Sequence, residues 1–283
     1  MKNSTGQLFV VATPIGNLED MTFRAIKTLQ KVAKIAAEDT RTSRVLLRHF
    51  KINTPMIACH EHNEKEVADT ILELLNQGQD IALISDAGTP LINDPGFRLV
   101  QHISQAGVRI VPLPGACSPM VALCAAGLAS DRFSYLGFFP RSGRAKTEAL
   151  RFIEGQRHTL IFLESPKRIV KTLKTLEPLC INRDLCVARE LTKLYEEFIR
   201  GSCETLLAHF AAHAPRGEMV LLIGPCNTPM VVDDAMIFRV AATPLMLALA
   251  PSAKAREVAK VLDVARARVY DVLMAKDGQG VDP

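Results

Sequence analysis

The sequence predicts an α/β protein with two α/β domains and a small C-terminal helical appendage. Short runs rich in β-branched residues alternate with longer segments of helical periodicity, which is typical of helices packed on a sheet. The alternation starts again after GFFPRSGR at 137–144, where glycine and proline indicate a boundary. After GPCNTPMVVDD at 224–234 the pattern is wholly helical. The predicted domains are therefore 1–135 and 136–228, with the appendage at 229–283.

The first domain combines five predicted strands with helices between them. Its clearest helix covers 64–77, because apolar residues there recur on one helical face. Asn63 is predicted as the N-cap, with Glu66 at the capping-box position, and Gly78 ends the helix. The predicted strands are LFVVAT (8–13), KIAAE (34–38), PMIAC (55–59), DIALIS (80–85) and VRIVP (108–112).

The second domain and the appendage follow from the same kind of pattern. The strand series of the second domain is FSYLGF, TLIFLE, LCVARE, EEFIRG and MVLLIG. In the appendage, a short break near Asp263 separates two helical segments, and acidic residues nearly offset their basic ones. A solvated helix pair and a nucleic-acid-binding module therefore both remain open.

Composition narrows the class of protein only broadly. The chain has 283 residues, 48% of them hydrophobic, which is enough to bury a sizeable core. A net charge of +4 permits a polyanionic partner without requiring one. The seven cysteines form no C-x-x-C pair, which favours reduced thiols and a cytoplasmic protein. We expect neither a signal peptide nor a membrane span at the N-terminus, because its apolar stretch is short.

Three predicted strands are each followed by a capping residue and a proline. Asp or Ser before Pro at the first helical position favours a helix N-terminus, which attracts negatively charged groups. In an open α/β sheet such ends lie where ligands bind, so the three together indicate a pocket, although each alone fits an ordinary turn. They are Asp94-Pro95, Ser118-Pro119 and Ser165-Pro166.

The ligand of this pocket is not predicted to be a nucleotide held by its phosphates. The motif G-x-x-x-x-G-K-[ST] is absent, and no G-x-G-x-x-G follows the first strand. An adenine, a ribose and a zwitterionic tail, bound mainly by backbone groups with one carboxylate nearby, fit the motifs better. S-adenosylmethionine is a molecule of this kind.

Seven ordered motifs between about residues 7 and 224 resemble one known family. They are ATPIGNLEDMTFRA, AEDTRTSRVLL, HEHNEKE, SDAGTPLINDPG, PLPGACS, ESPKR and ARELTKLYEEFIRG. The chain is similar to the 16S ribosomal RNA cytidine 2′-O-ribose methyltransferases, a branch of the tetrapyrrole methylase superfamily. This resemblance implies two α/β domains of tetrapyrrole-methylase type, S-adenosylmethionine in the cleft between them, and a homodimer. It also implies 16S rRNA in the small ribosomal subunit as the substrate.

The resemblance also implies which residues hold the methyl donor. Relatives read Gly-Asp-Pro where this chain has Ser85, Asp86 and Ala87, and the retained Asp favours donor binding. The Ser and Ala separate this branch from the porphyrinoid methylases. The remaining residues expected to bind the cofactor are Gly88, Thr89, Asp94, Gly115, Ala116, Ser118, Phe162, Leu163, Glu164, Ala188 and Met219.

Methyl transfer to a ribose hydroxyl requires alignment above all, and a carboxylate or imidazole can accept the proton. Candidates lie in AEDTR and HEHNE, after the second and third predicted strands, although both segments also fit surface turns. No metal is predicted, because His60 and His62 have no evident third ligand in HEHN. Whether a general base is used stays open. The catalytic candidates are Glu38, Asp39, Arg41, His60 and Asn63.

Basic residues in the same motifs are candidates for contacts with RNA phosphates. A base in structured RNA must leave its stack before its ribose reaches the donor, so we expect assembled subunits to be better substrates than short oligonucleotides. Two alternatives remain: a methyltransferase for a small tetrapyrrole-like acceptor, and a ligand-sensing regulator whose C-terminal helices bind DNA. The phosphate candidates are Arg44, Lys167, Arg168, Arg189 and Lys193.

Overall fold

The computed structural model describes residues 5–226, 233–262 and 264–277. These residues fall into two compact units, the first of which ends at Cys226. The first unit contains two sheets with their helices, and the second is helical. The predicted boundary at 228/229 and the predicted break near Asp263 lie outside the described residues.

The first sheet is parallel throughout, in the order β3-β2-β4-β1-β5. Each predicted strand of this region is present, shortened by one or two residues, and the last one ends one residue later than predicted, at Leu113. Because all five strands run the same way, their carboxyl ends share one edge. The strands are β1 (Leu8–Val11), β2 (Lys34–Ala37), β3 (Met56–Ala58), β4 (Ile81–Ile84) and β5 (Ile110–Leu113).

Helices cover both faces of this sheet. One core joins Val11 and Ile84 to Leu29 and Leu47, and the other joins Ile81 to the helices on the opposite face. The central strand β4 is buried along its whole length, as expected for a parallel sheet packed on both sides. The helices are α1 (Phe23–Lys31), α2 (Thr40–His49), α3 (Glu64–Asn76) and α4 (Phe97–Gln105).

The second sheet is mixed, in the order β6-β7-β10-β8-β9. Only β6 and β7 are parallel, and the other neighbouring pairs are antiparallel. The strands are β6 (Phe133–Phe138), β7 (Thr159–Glu164), β8 (Leu185–Arg189), β9 (Glu197–Gly201) and β10 (Met219–Ile223). The helices are α5 (Ser118–Ala126), α6 (Gly143–Gly155), α7 (Ile169–Leu176) and α8 (Cys203–Ala212).

Successive residues of the second sheet enter two different cores. Phe162 and Leu221 pack with α7 and α8, whereas Ile161 and Leu222 face α5. Helix α5 contacts β7, β8 and β10, although it precedes residue 135 in sequence. The boundary between the two α/β domains near residue 135 stays a prediction.

The second compact unit is built from short helices around its own core. Ile237, Val258, Leu262 and Val269 are at most 3% exposed there. Within the described residues, no helix has the length and apolar character needed to cross a membrane. The helices are α9 (Asp234–Ala241), α10 (Pro244–Leu247), α11 (Pro251–Leu262) and α12 (Arg266–Asp277).

Candidate active site

A cavity of about 320 Å³ lies between the two sheets, at the carboxyl ends of the first. Its size falls within the range of roughly 300–1,000 Å³ typical of small-molecule sites. Side chains from both sheets contribute. The lining residues are Ile15, Ala87, Ile92, Asn93, Asp94, Ser118, Phe138, Leu163, Glu164, Ser165, Pro166, Leu191, Gly217, Glu218, Met219 and Val220.

The segment that follows β4 is hydrogen-bonded to the segments that follow β1 and β5. Thr13 and Gly88 exchange two backbone hydrogen bonds of 2.8 and 3.0 Å. The Ser85 hydroxyl donates to the Gly88 carbonyl over 3.1 Å, and the Thr89 hydroxyl donates to the Ala116 carbonyl over 2.9 Å. Gly88 has φ +82°, which favours glycine. The residues predicted to hold the cofactor here therefore form one rigid rim.

Gly115 allows a second close approach at this rim. A Cβ at Gly115 would lie 2.6 Å from the Cβ of Ala12, so no larger residue fits without a backbone shift. Ala87, Asp94 and Ser118 line the cavity directly. Asp86 lies beside it, and its Oδ1 accepts a hydrogen bond from the Asp39 backbone N–H over 3.1 Å.

The three predicted helix caps are wrong. Helix α4 begins only at Phe97, after Gly96 with φ +122°, because an irregular turn at 89–95 comes first. Helix α5 begins at Ser118 itself, with Cys117 before it, and α7 begins at Ile169. At all three dipeptides the polar residue lies in the cavity wall, so the prediction of a pocket holds although the capping geometry does not.

A distant carboxylate replaces the missing cap of α4. Glu64 is 4% exposed, and its Oε1 accepts a hydrogen bond from the Leu99 backbone N–H over 2.9 Å. The negative charge satisfies a free donor of the first helical turn. Glu64 is thus a structural member of the HEHNE motif.

Two carboxyl groups at the rim have raised pKa values. Burial raises the pKa of Asp94, against a hydrogen bond from Ser85 that lowers it, and the charge of Asp86 raises it further. Burial also raises the pKa of Glu38, with further increases from the charges of Asp86 and Asp94. Burial, and after it the charges of neighbouring carboxylates, therefore make both groups better proton acceptors than ordinary carboxylates.

Asp39 has the opposite character although it is the next residue in sequence. It caps α2 by accepting from the Arg41 backbone N–H over 2.8 Å. The Arg41 side chain donates to both Asp39 carboxylate oxygens over 3.1 and 2.8 Å, and these bonds lower the pKa of Asp39 to about 2. Arg41 itself is 86% exposed. Asp39 and Arg41 are therefore an ion pair at a helix start, and Glu38 is the more basic group.

The HEHN segment forms a closed turn. Asn63 Oδ1 accepts from the His60 backbone N–H over 2.8 Å, and Asn63 Nδ2 donates to the Ala58 carbonyl over 3.0 Å. Asn63 is the N-cap residue of α3 as predicted, but its side chain makes no capping hydrogen bond, because it turns back to the strand. His60 Nδ1 is buried and finds no hydrogen-bond partner among the described residues. Across those residues, no group of three His, Cys, Asp or Glu side chains is placed to hold a metal ion.

Only some of the residues predicted for the second wall line the cavity with their side chains. Leu163, Glu164 and Met219 line the cavity, whereas Phe162 and Ala188 are fully buried in the cores on the two sides of the sheet. The side chains of Phe162 and Ala188 thus do not line the cavity, and any contact they make with a ligand would use backbone atoms.

Glu164 supports the wall from within. Its carboxylate accepts hydrogen bonds from the Ser165 N–H and the Thr172 hydroxyl over 2.8 and 2.6 Å, and lies 3.4 Å from Arg168.

Phe138 enters the cavity through a β-bulge that sequence reasoning missed. The register of β6 and β7 shifts between Tyr135 and Phe138, where Gly137 has φ +66°. Without this extra residue Phe138 would lie on the opposite face of the sheet, because strand residues alternate. A glycine inside a predicted strand, FSYLGF, was the available signal.

The predicted phosphate-binding residues are divided between paired and exposed side chains. Arg168 donates to the Phe139 carbonyl, and Arg189 Nε donates to Glu197 over 2.6 Å. Lys193 donates to Glu190 and Glu218 over 3.1 and 3.0 Å. Arg44 and Lys167 are exposed.

A buried tyrosine hydroxyl lies near the cavity. Tyr135 packs with Ile15, Leu163, Leu191 and Val220, all of which line the cavity. Its hydroxyl oxygen is buried and makes no hydrogen bond within the described part of the chain. Burial raises the pKa of Tyr135 to about 12, so the group remains a hydrogen-bond donor near neutral pH. A buried donor that is unpaired within the described residues is available for a hydrogen bond to a ligand or a water molecule.

The architecture matches that of solved structures. The chain superposes with a diphthine synthase at a TM-score of 0.63 and 11% identity, covering 79% of this chain and 91% of that one. It superposes with the uroporphyrin-III C-methyltransferase from Thermus thermophilus, in complex with S-adenosyl homocysteine, at 0.55 and 18%, covering 77% and 97%. The tetrapyrrole (corrin/porphyrin) methylase family model matches residues 7–207. The two sheets and their cavity thus define a fold of the tetrapyrrole methylase class.

Curated relatives show to which branch of the tetrapyrrole methylases the chain belongs. The ribosomal RNA small subunit methyltransferase I of Pasteurella multocida is 49% identical over 226 residues, covering 79% of this chain and 80% of the relative. That of Synechocystis sp. is 41% identical over 279 residues, covering 97% and 100%. The chain belongs to the ribosomal RNA small subunit methyltransferase I family within the tetrapyrrole methylases. The resemblance carried by the seven motifs is confirmed, and neither alternative function is favoured.

Proposed function

We propose that the protein transfers a methyl group from S-adenosylmethionine to the 2′-oxygen of a cytidine ribose in the decoding region of 16S rRNA. The observation that carries this proposal is the cavity between the two sheets, in a chain 41–50% identical to the curated relatives of that name. The acceptor is proposed to be rRNA within the small ribosomal subunit, in the cytoplasm.

The cavity residues fit this methyl donor. Apolar side chains of Ile15, Ile92 and Leu163 offer a surface for an adenine, and Asp94 offers a carboxylate. When bound, the donor supplies an electrophilic methyl carbon on a positively charged sulfonium. The carboxyl groups of Glu38, Asp86 and Asp94 together favour positive charge, and the buried Tyr135 hydroxyl offers a hydrogen bond.

Glu38 is our proposed proton acceptor for the ribose hydroxyl. A general base works best when its pKa approaches the working pH, and the rim raises the pKa of Glu38 while that of Asp39 falls to about 2. Asp39 and Arg41 then act by fixing the start of α2 beside Glu38. The rim aligns the reacting oxygen, which is the larger requirement for an in-line displacement.

Methyl transfer from tritiated S-adenosylmethionine tests the proposal. Small ribosomal subunits, free 16S rRNA, a short oligonucleotide, duplex DNA and a tetrapyrrole are compared as acceptors, and any methylated nucleotide is then mapped. We expect a single 2′-O-methylcytidine, formed fastest on the subunit. Transfer only to a tetrapyrrole, or retention on duplex DNA without transfer, would refute the function. Equal rates on subunit and oligonucleotide would refute the assembled substrate alone.

Calorimetry of donor binding tests the placement of the cofactor. Asp94→Ala removes a carboxylate from the cavity wall, and Asp86→Ala removes the acceptor of the Asp39 N–H, so both should weaken binding. Asp131→Ala is the matched control, because Asp131 is exposed and precedes β6 at the opposite edge of the sheet. Unchanged affinity in both rim variants would contradict the proposed cofactor site.

A homodimer is also proposed, and exposed apolar side chains support it. Phe23 is 84% and Phe97 63% exposed, and large apolar side chains of this kind are common in protein interfaces. Sedimentation equilibrium should give twice the chain mass. A monomer at micromolar concentration would overturn this part of the proposal.

A further inference from the structure

A second cavity, of about 220 Å³, lies on the second sheet apart from the methyl-donor cavity. Its polar walls are Arg189, Glu197, His209, His213 and Arg216, and we call it the arginine–histidine pocket. Arg189 ends β8 and Glu197 begins β9, so the two residues are cross-strand neighbours. His209 lies in the last turn of α8, and His213 follows that helix.

Residues that line the two cavities are neighbours in the second sheet and in the sequence. Arg189 is directly opposite Met219, the first residue of β10, and Met219 lines the methyl-donor cavity. Arg216 directly precedes Gly217, which also lines that cavity. The two cavities therefore lie next to each other on the second sheet.

The charges of the pocket favour a negatively charged ligand. Two guanidinium groups and two imidazoles surround a single carboxylate. The Arg189 hydrogen bond lowers the pKa of Glu197, and the charges of Arg189, His209 and His213 lower it further. The surrounding positive groups thus keep Glu197 ionised. The two arginines give the pocket a net positive charge.

Arg216 provides unused hydrogen-bond donors. It is exposed, and it takes part in none of the side-chain hydrogen bonds or ion pairs formed within the described residues. Lys193 and Arg168, in contrast, already donate hydrogen bonds to neighbouring groups. The imidazoles of His209 and His213 stack at a centroid distance of 4.7 Å, which holds them as a pair beside it.

We propose that the arginine–histidine pocket binds a phosphodiester group of the substrate RNA next to the target ribose, with Arg216 as its main contact. This inference rests on the proposed function. A guanidinium presents parallel N–H donors that match two phosphate oxygens, and imidazole N–H groups donate as well. The pocket is smaller than sites that enclose whole ligands, so it takes the phosphate and leaves the base outside.

Salt dependence of RNA binding by the full-length protein tests the proposal. Binding of small subunits and of 16S rRNA is measured between 0.05 and 0.3 M salt. Losing one phosphate contact should reduce the slope of log K against log salt by about 0.7 and weaken binding about fivefold at 0.1 M. We expect this for Arg216→Ala, recovery of the slope in Arg216→Lys, and unchanged donor affinity by calorimetry.

Arg157→Ala is the matched control. Arg157 is exposed and precedes β7, so it lies at the edge of the sheet opposite Glu164. An unchanged slope in Arg216→Ala, or an equal change in Arg157→Ala, overturns the pocket while leaving methyl transfer to RNA intact. Absence of any methyl transfer to RNA by the unaltered protein overturns both the proposed function and this inference.

Discussion

The two sheets differ in how their sequence relates to the site. In the first, all strands are parallel, so every strand end adds a loop to the same rim. In the second, β10 is antiparallel to β7 and β8, and neighbouring residues enter opposite cores. Every strand of the first sheet thus brings its carboxyl end to the rim. In the second sheet the cavity is lined by the end of β7 and the beginning of β10, because these two strands run in opposite directions.

Phe162 and Leu163 give the largest expected contrast. Phe162→Ala removes a fully buried ring, whose centroid lies 5.4 Å from that of Phe139. We expect a loss of about 3–5 kcal/mol in the free energy of unfolding, with donor affinity of the folded protein unchanged. Leu163→Ala should cost less stability and weaken donor binding. Urea denaturation measures the free energy of unfolding, and calorimetry measures donor affinity. Weaker donor binding in Phe162→Ala than in Leu163→Ala would contradict the placement of Leu163, and not Phe162, in the cavity wall.

Glu38 tests whether the chemistry resides on the rim of the first sheet. Glu38→Gln should lower kcat for methyl transfer at least about 100-fold, because proton acceptance is lost while donor binding is kept. The base acts only when deprotonated, and its pKa is raised, so the rate should rise with pH above the range of an ordinary carboxyl group. Asp39→Asn is the control and should keep this pH limb. If the rise of the rate with pH disappears in Asp39→Asn but persists in Glu38→Gln, Asp39 and not Glu38 is the proton acceptor.

Arg183 stabilises the second sheet at the end of its strands opposite the cavity. Its guanidinium donates to the carbonyls of Gly224, Ile153 and Gln156 over 2.8, 2.6 and 3.1 Å. Arg183→Met leaves these acceptors unpaired, which should cost about 2–3 kcal/mol of unfolding free energy. Methyl transfer by the folded protein should persist. The exposed Arg157→Met should be neutral, and an equal loss there would mean that the buried bonds contribute little.

Gly137 gives the smallest effect and links the two regions. A Cβ at Gly137 would lie 2.7 Å from Oδ1 of Asn93, across the cavity. Gly107 has a similar φ of +73° with nothing within 4 Å of such a Cβ, so Gly107→Ala measures the backbone cost alone, about 1 kcal/mol. Gly137→Ala should cost more and also weaken donor binding. Equal costs with unchanged binding would show that the contact is easily relieved.

The sequence by itself determined the fold class and most of the rim. Periodicity predicted each strand of both sheets, because burial on a sheet demands runs of β-branched residues. The glycines and prolines after β4 and β5 predicted a shaped, rigid edge. Local chemistry was sufficient there, since a backbone with positive φ needs glycine and a strand end needs a turn.

Only the tertiary structure decided which side chains do what. Glu38 and Asp39 are adjacent carboxylates in sequence, yet their pKa values shift in opposite directions because one meets Asp86 and Asp94 and the other meets Arg41. Glu64 caps α4 although 35 residues separate it from Leu99. A β-bulge decides on which face of the sheet Phe138 lies. Charge, burial and facing depend on neighbours distant in sequence, so no local pattern encodes them.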